Sequence, residues 1–461
     1  CSYAEGKREQ AWFGAMALRA LLPAGGRFVE KTFINDMLAD VVSHEMGHIL
    51  GLRHNFVAST ASTLDQLKDP NYVRKNGVSA SVMDYNPFNI SALKQKDTPF
   101  WMPGLGPYDY WAIQYGYETI DAPSVDAEKP RLKQIASWNT KPGLAYQPDE
   151  SADSFDPSVV RFDLGSDPLA YYRRMLEVSR YLFVTLDKRE PRKGESYTRF
   201  TQQFNSLINL QSGAAARASR YIGGLYARRN FRGDPNEKPT LVPVPAEKQR
   251  EALSLLNTFV FAESAFTIPP RYFSKLAADP NVDLVQVVLS GGSLAQDFPV
   301  RDTISRIQTS ALNRIMSPAV LRRISNNEYK VGDPARAFTL AELFQSVGNT
   351  LWTELGGKRN VGPLRRTLQR AHVDLLTSIV TNPASPVPDD AKVLAWDQLR
   401  TLKQRIGAAR GGKYDTYTRV HLDETLVRIN RALDARQTIG SAAPVQAQSL
   451  LQQLLGGQGR N

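Results

Sequence analysis

The sequence predicts a mainly helical chain, and three observations carry that prediction. From Leu169 to about residue 438, apolar residues recur at three- and four-residue spacings in eight successive segments. Two segments nearer the start, 6–22 and 33–56, show the same spacing. Prolines mark the breaks: Pro191, Pro235, the pair Pro269-Pro270, and the group Pro383, Pro386 and Pro388.

Composition narrows the class. Hydrophobic residues make up 42% and charged residues 22%, which excludes wholesale disorder. At roughly 150 residues per domain, 461 residues suggest two or three domains. No run of about 18 apolar residues occurs, so no transmembrane helix is expected. A single cysteine, Cys1, rules out an internal disulfide. That fits a reducing cytosol, or an exported bacterial protein that does without bridges. The net charge of +11 admits nucleic acid, anionic surfaces or acidic partners and selects none of them. The chain opens on Cys1 with no export signal behind it, and the expectation is the C-terminal part of a longer protein, a mature lipoprotein being the alternative.

Taken in order, 6–22 reads as a helix with Trp12, Phe13, Met16 and Leu18 facing a core. Segment 33–56 reads as an amphipathic helix whose apolar positions are Ile34, Leu38, Val41, Val42, Ile49 and Leu50. Within it stands HEMGHILGLRH, from His44 to His54. His44 and His48 are four apart, so they share a helical face about 6 Å apart along the axis, and both imidazoles can reach one ion. Glu45 points partly to the same side and can take a proton from water without being a ligand. His54 comes six residues after His48, so the chain must leave the helix and turn back if it is to be a third ligand. Gly51 allows that turn, because glycine adopts the left-handed conformation without steric penalty. Three histidines plus water give the open tetrahedral arrangement of catalytic zinc. Three of the chain's five histidines lie in this stretch, which argues against coincidence.

These residues resemble the metzincin metalloproteases, whose signature is HExxHxxGxxH followed by a methionine-bearing turn. Ser81-Val82-Met83-Asp84-Tyr85-Asn86-Pro87 offers that turn 29 residues after His54. By resemblance, Met83 forms an apolar floor beneath Zn2+. Tyr85 matches a tyrosine that stabilises the oxyanion in some metzincins, the other reading being a ring that packs under the site. Gly106 to Gly116 reads as a helix starting at Pro107. Together, GLRHNF, SVMDYNPFN and GPYDYWAIQYGY look most like the bacterial Met-zincins, large exported zinc-dependent metalloproteases. The resemblance is strong over 1–120 and weaker beyond, through 161–168. It implies the C-terminal half of a metzincin catalytic domain (zinc helix, Met-turn, following helix) joined to a multi-helix C-terminal domain. It also implies a Zn2+ cofactor, a protein or peptide substrate, and an exported location. Metzincins have a β-sheet subdomain before the zinc helix, whereas the 43 residues before His44 read mainly as helix, so an upstream region of the same protein is an expected partner.

The remaining organisation follows. Residues 121–165, rich in Pro, Asp and Ser, read as a connecting segment; 166–438 as an α-helical domain; 439–461 as a flexible tail. The predicted helices are 168–188, 197–228, 245–264, 299–326, 338–355, 361–382, 388–410 and 414–438. Arg217, Arg220, Arg228, Arg229 and Arg232, with Tyr221, Tyr226 and Phe231, read as a solvated helix face rather than a nucleic-acid patch. His372 and His421 read as isolated structural or surface residues, and Gly223-Gly224 as a loop. Asp84 and Asp109 are candidates for orienting the histidines. The expected function is zinc-dependent peptide hydrolysis, with His44, His48 and His54 as ligands and Glu45 as general base. The alternatives are a catalytically incomplete zinc-stabilised binding or scaffolding module and, more weakly, a basic nucleic-acid-binding protein.

Overall fold

The computed structural model describes residues 3–22, 29–189, 191, 193–276, 298–333 and 335–439. The chain is mainly helical, with fifteen α-helices and one antiparallel pair of three-residue strands among those residues. None of these helices is long and apolar enough to cross a membrane. The expected flexible tail lies outside the described residues, apart from its first position. The chain divides into two compact units, Cys1–Leu351 and Trp352–Asn461.

The first unit begins with α1 (Tyr3–Leu21), which packs on α2 (Glu30–Ile49). Its inner face is Tyr3, Lys7, Phe13, Met16 and Leu18; Trp12 is only half-buried. Under the first half of α2 lies an aromatic cluster. Phe33 meets Trp101 at 5.1 Å, Phe88 meets Phe100 at 5.4 Å, and the Trp101 indole donates to the Phe33 carbonyl at 3.0 Å.

Helix α2 corrects the sequence reading twice. It ends at Ile49, not Phe56, because Gly51 takes a φ of 79° and its N–H turns back to the His48 carbonyl. Its apolar face is also not its buried face. Phe33, Asp40, His44 and Gly47 are buried, while Leu38 is 50%, Val42 60% and Ile49 75% exposed, with Ile34, Met46 and Leu50 also out. The reason is register. A helix presents one stripe inward, and here that stripe carries the histidines. Val41 alone of the named apolar set other than these packs partly against a small core of Tyr3, Phe56, Tyr85 and Val159.

Further on, the connecting stretch 121–165 includes a helix, Val125–Ala136, capped by the Ser124 side chain. Helix 197–228 stops at Ala218, and Leu225–Ala227 pairs instead with Leu241–Pro243, Tyr226 opposite Val242. Segment 299–326 is two helices, Val300–Ile315 and Pro318–Val331. Pro318 cannot continue a helix but suits the first turn of one, and Ser317 caps it.

The second unit is built on Pro363–Thr381, Asp389–Ala409 and Thr416–Ile439. Its interior is polar as well as apolar. The Arg365 guanidinium donates to Glu354 at 2.6 Å, Gln369 donates to Glu354 at 3.1 Å, and the Gln369 carbonyl meets His421 Nε2 at 2.9 Å. The Trp352 indole donates to His372 Nδ1 at 3.1 Å. Both histidines are buried, which settles them as structural residues. Burial pushes each imidazole from its ordinary value down to about 4.

That depression has a sign. The unfolded chain takes up these protons near pH 6.5, the folded chain only near 4. Stability is therefore complete above about pH 6.5 and is lost as the pH falls toward 4, by up to roughly 3 kcal/mol per histidine. The urea midpoint of this unit's transition is expected to drop on going from neutral pH to about pH 4.5. An unchanged midpoint in H372Q/H421Q, against a falling one in the parent chain, assigns the loss to these rings.

Candidate metal centre

The motif residues meet at the end of α2. His44 and His48 come from successive turns, and His54 returns from beyond the Gly51 bend. Their ring centroids stand 4.8, 5.2 and 4.7 Å apart. One ligating nitrogen from each can be chosen so that all lie within 4.8 Å of one another. His48 Nε2 and His54 Nε2 are 3.2 Å apart. Two nitrogens bound tetrahedrally at about 2.0–2.1 Å from zinc are themselves separated by roughly that distance. His44 Nε2 is buried with no hydrogen-bond partner, which is costly unless a cation fills the gap.

The opposite nitrogens are all held. His44 Nδ1 donates to the Val82 carbonyl at 2.7 Å, His48 Nδ1 to the Leu52 carbonyl at 3.0 Å, and His54 Nδ1 to the Asp149 carboxylate at 2.9 Å. Carbonyls and carboxylates only accept, so each Nδ1 carries the hydrogen and each Nε2 offers a lone pair. Burial pushes His44 down to about 4, with the neighbouring His48 and His54 acting the same way. Burial also lowers His54, against the pull of Asp149. Three imidazoles are thus presented with Nδ1 anchored and Nε2 turned inward, a donor set that suits Zn2+.

Sequence reasoning located the three histidines and Gly51 but not the groups that orient them. Asp149 lies 95 residues beyond His54 in the stretch read as a connector, and the other two acceptors are main-chain carbonyls. Neither leaves a local signature. Asp84 and Asp109 do not touch the rings. Asp109 accepts from Ser81 Oγ at 2.6 Å, Val82 N at 3.0 Å and Gly106 N at 2.7 Å. It therefore acts one step removed, fixing the residue whose carbonyl holds His44. Asp84 accepts from Ser59 N at 2.8 Å, and burial raises its carboxyl to about 7.

Glu45 is half-buried at the edge of the histidine face, and its charge acts on His44. Tyr85 is buried with its ring edge-on to both His44 (5.5 Å) and His54 (5.0 Å). Tyr3, which sequence reasoning did not single out, lies 4.3 Å from His44 and 4.7 Å from Tyr85, ring to ring. Its hydroxyl donates to Asp40 at 2.8 Å. Asp40 also takes Lys7 Nζ at 2.5 Å and Met102 N at 3.1 Å. This fully buried ion pair sits one helical turn before His44.

Met83 is fully buried against the backbone of α2. A Cβ on Gly47 would stand 2.2 Å from its Sδ, so only glycine leaves room between the two histidine turns. A Gly47→Ala chain gains about 1 kcal/mol of helix propensity and loses about 1–3 kcal/mol to overpacking. The expected net is a lower melting temperature with weaker zinc retention, since the displaced turn also carries the Val82 carbonyl. Unchanged zinc competition titrations would show that the turn does not support the site.

A family model described as Met-zincin matches residues 28–359. No curated protein matches the chain, and no solved structure does. The match covers well over half of the sequence and includes the histidine helix, the methionine turn and the Asp149 segment: the chain belongs to the Met-zincin family.

Proposed function

We propose that this chain is a zinc metalloendopeptidase. The observation that carries the reading is the convergence of three Nε2 atoms whose Nδ1 partners are all anchored. His44, His48 and His54 hold the ion. Zn2+, when bound, supplies Lewis acidity toward the scissile carbonyl and toward water. Glu45 takes a proton from the attacking water and returns it to the leaving amine. Tyr85 serves as a hydrogen-bond donor to the developing oxyanion, and Met83 is the apolar floor.

In the same proposal, α2, the Ser81–Pro87 turn and the helix Pro107–Tyr117 are the zinc helix, Met-turn and following helix of a metzincin catalytic domain. The catalytic region of 1–120 draws on Asp149 from the following stretch. The exposed face of α2 is the seat for an upstream sheet that completes the cleft. The second reading, a zinc-stabilised binding module that does not hydrolyse, draws on that same uncovered face.

The test is metal analysis joined to a peptide-library digest. One equivalent of zinc, cleavage lost on chelation and restored by zinc, supports the peptidase. One equivalent of tightly held zinc with no cleavage, including by a chain extended upstream, supports the binding module.

A further inference from the structure

A second concave site lies beside the metal centre, in the first unit. It is a cavity of about 720 Å3, large enough for a few peptide residues. Its titratable lining is strongly one-sided: Lys141, Arg228, Arg229, Lys238 and Lys248 against a single carboxylate, Asp167. Lys248 is neutralised by Asp167 at 2.7 Å and Glu251 at 2.9 Å. No carboxylate of the described residues pairs with the other four.

Those four are instead placed on aromatic faces or left in solvent. The Arg228 guanidinium stands 5.5 Å from the Tyr226 ring, Arg229 5.5 Å from Tyr146, and Lys141 Nζ 4.1 Å from Trp138. A guanidinium stacked on a ring uses its flat face and keeps its in-plane N–H donors available for an anion. Lys238 is exposed. The arginines do not form the solvated helix face expected from the sequence. Arg220 turns inward to Asp153 at 2.8 Å, Arg217 donates to the Arg161 carbonyl at 2.7 Å, and Arg228 and Arg229 leave the helix altogether to line the cavity.

The cavity shares a wall with the metal centre. Asn55 and Phe56, directly after His54, are cross-bonded to the 145–147 segment: Asn55 donates to the Ala145 carbonyl at 2.9 Å, Phe56 N to the Gln147 carbonyl at 2.9 Å, and Gln147 N to Asn55 Oδ1 at 3.0 Å. Tyr146 and Gln147 line the cavity, and Asp149, two residues on, holds His54. The 145–149 segment thus carries both the cavity-lining Tyr146 and Gln147 and the His54 partner Asp149, so a polypeptide that ran past His54 along this segment would meet this set of cations. We infer that the cavity receives acidic side chains of the substrate, so that the enzyme selects polypeptides carrying aspartate or glutamate clusters beside the cleaved bond. A nucleic acid fits less well, because the site is a short concavity rather than a groove that tracks a backbone. The inference rests on the peptidase reading for its meaning, though not for its measurement.

The experiment uses the zinc-loaded Glu45→Gln chain and a short fluorescein-labelled peptide of alternating glutamate, with its glutamine counterpart as control. Fluorescence anisotropy is expected to show the acidic peptide bound at least about ten-fold more tightly, with the preference shrinking as salt is raised. R229Q/K238Q, both changes at exposed positions, is expected to remove most of that preference while leaving binding of the glutamine peptide unchanged. Equal affinity for the two peptides, a preference untouched by R229Q/K238Q, or stronger competition by an oligonucleotide than by the acidic peptide would overturn the assignment. The parent chain then separates the two ideas. Acidic peptide bound but never cut sinks the peptidase and keeps the site; both peptides cut with equal kcat/KM sinks the site and keeps the peptidase.

Discussion

A Glu45→Gln chain is expected to bind zinc as the parent does and to cleave peptides at least about a thousand-fold more slowly. Glutamine has the shape of glutamate and sits at the same helical position, so none of the three histidine nitrogens or their Nδ1 acceptors is disturbed. What disappears is the ability to accept a proton. His44 loses one nearby negative charge, which had favoured its charged form; its ring remains neutral and available. The measurement is kcat/KM on a peptide substrate beside metal content by atomic absorption. Full activity would remove Glu45 from the role of base, and loss of the metal would mean that the residue holds the site together instead.

The largest expected effect on stability lies one turn away. Asp40→Ala should destabilise the first unit by about 3–5 kcal/mol, because it removes the carboxylate in contact with the buried Lys7. Lys7 and Asp40 are both fully buried at 2.5 Å, and burial already presses the Lys7 ammonium down while Asp40 supports it. The ammonium's other neighbours are the Asn86 carbonyl at 2.6 Å and the rings of Trp101 at 4.6 Å and Tyr3 at 5.1 Å, and the Asp84 carboxyl, itself raised to about 7 by burial, supports it less than Asp40 does. Asp40 also receives Tyr3 and Met102, so its removal releases the ring that lies against His44. A K7M/D40L double substitution should recover much of the loss, since apolar residues of similar volume often replace a buried pair at little cost. Urea unfolding of the three chains checks both statements. A cost below about 1 kcal/mol for Asp40→Ala would show that water reaches the lysine.

What could be read from the sequence was what is local. Helical spacing placed Pro168–Val184, Pro363–Thr381 and Asp389–Ala409 to within a few residues, because period and proline act over one or two turns. The histidine cluster was legible for the same reason: helical pitch fixes His44 against His48, and a glycine that must turn fixes His54. The direction of a face was not legible. In α2 the apolar residues obey the amphipathic pattern, yet burial depends on what lies opposite, and the stripe that finds a neighbour is Asp40, His44 and Gly47. Lys7 reads as an ordinary surface residue of a helix until a carboxylate 33 positions away closes over it. The strands at Leu225–Ala227 and Leu241–Pro243 are too short to show alternation. Pro318 carried its signal openly; the apolar spacing on either side masked it.

The inverted facing of α2 bears on how it is retained. A surface helix is ordinarily kept in place by the oily stripe beneath it, so lifting it off uncovers much nonpolar area and is felt as a steep response to urea and a large heat-capacity change. The second half of this one is tethered by an ion pair, two ring nitrogens and a methionine beneath a glycine. Detaching its C-terminal half uncovers less nonpolar area than detaching the Phe33 end, which sits on the aromatic cluster, so that local opening is shallow in urea and small in heat capacity. An ion held by the three histidines would then act as a clasp, drawing that half of the helix shut by mass action far more than it tightens the remainder of the molecule.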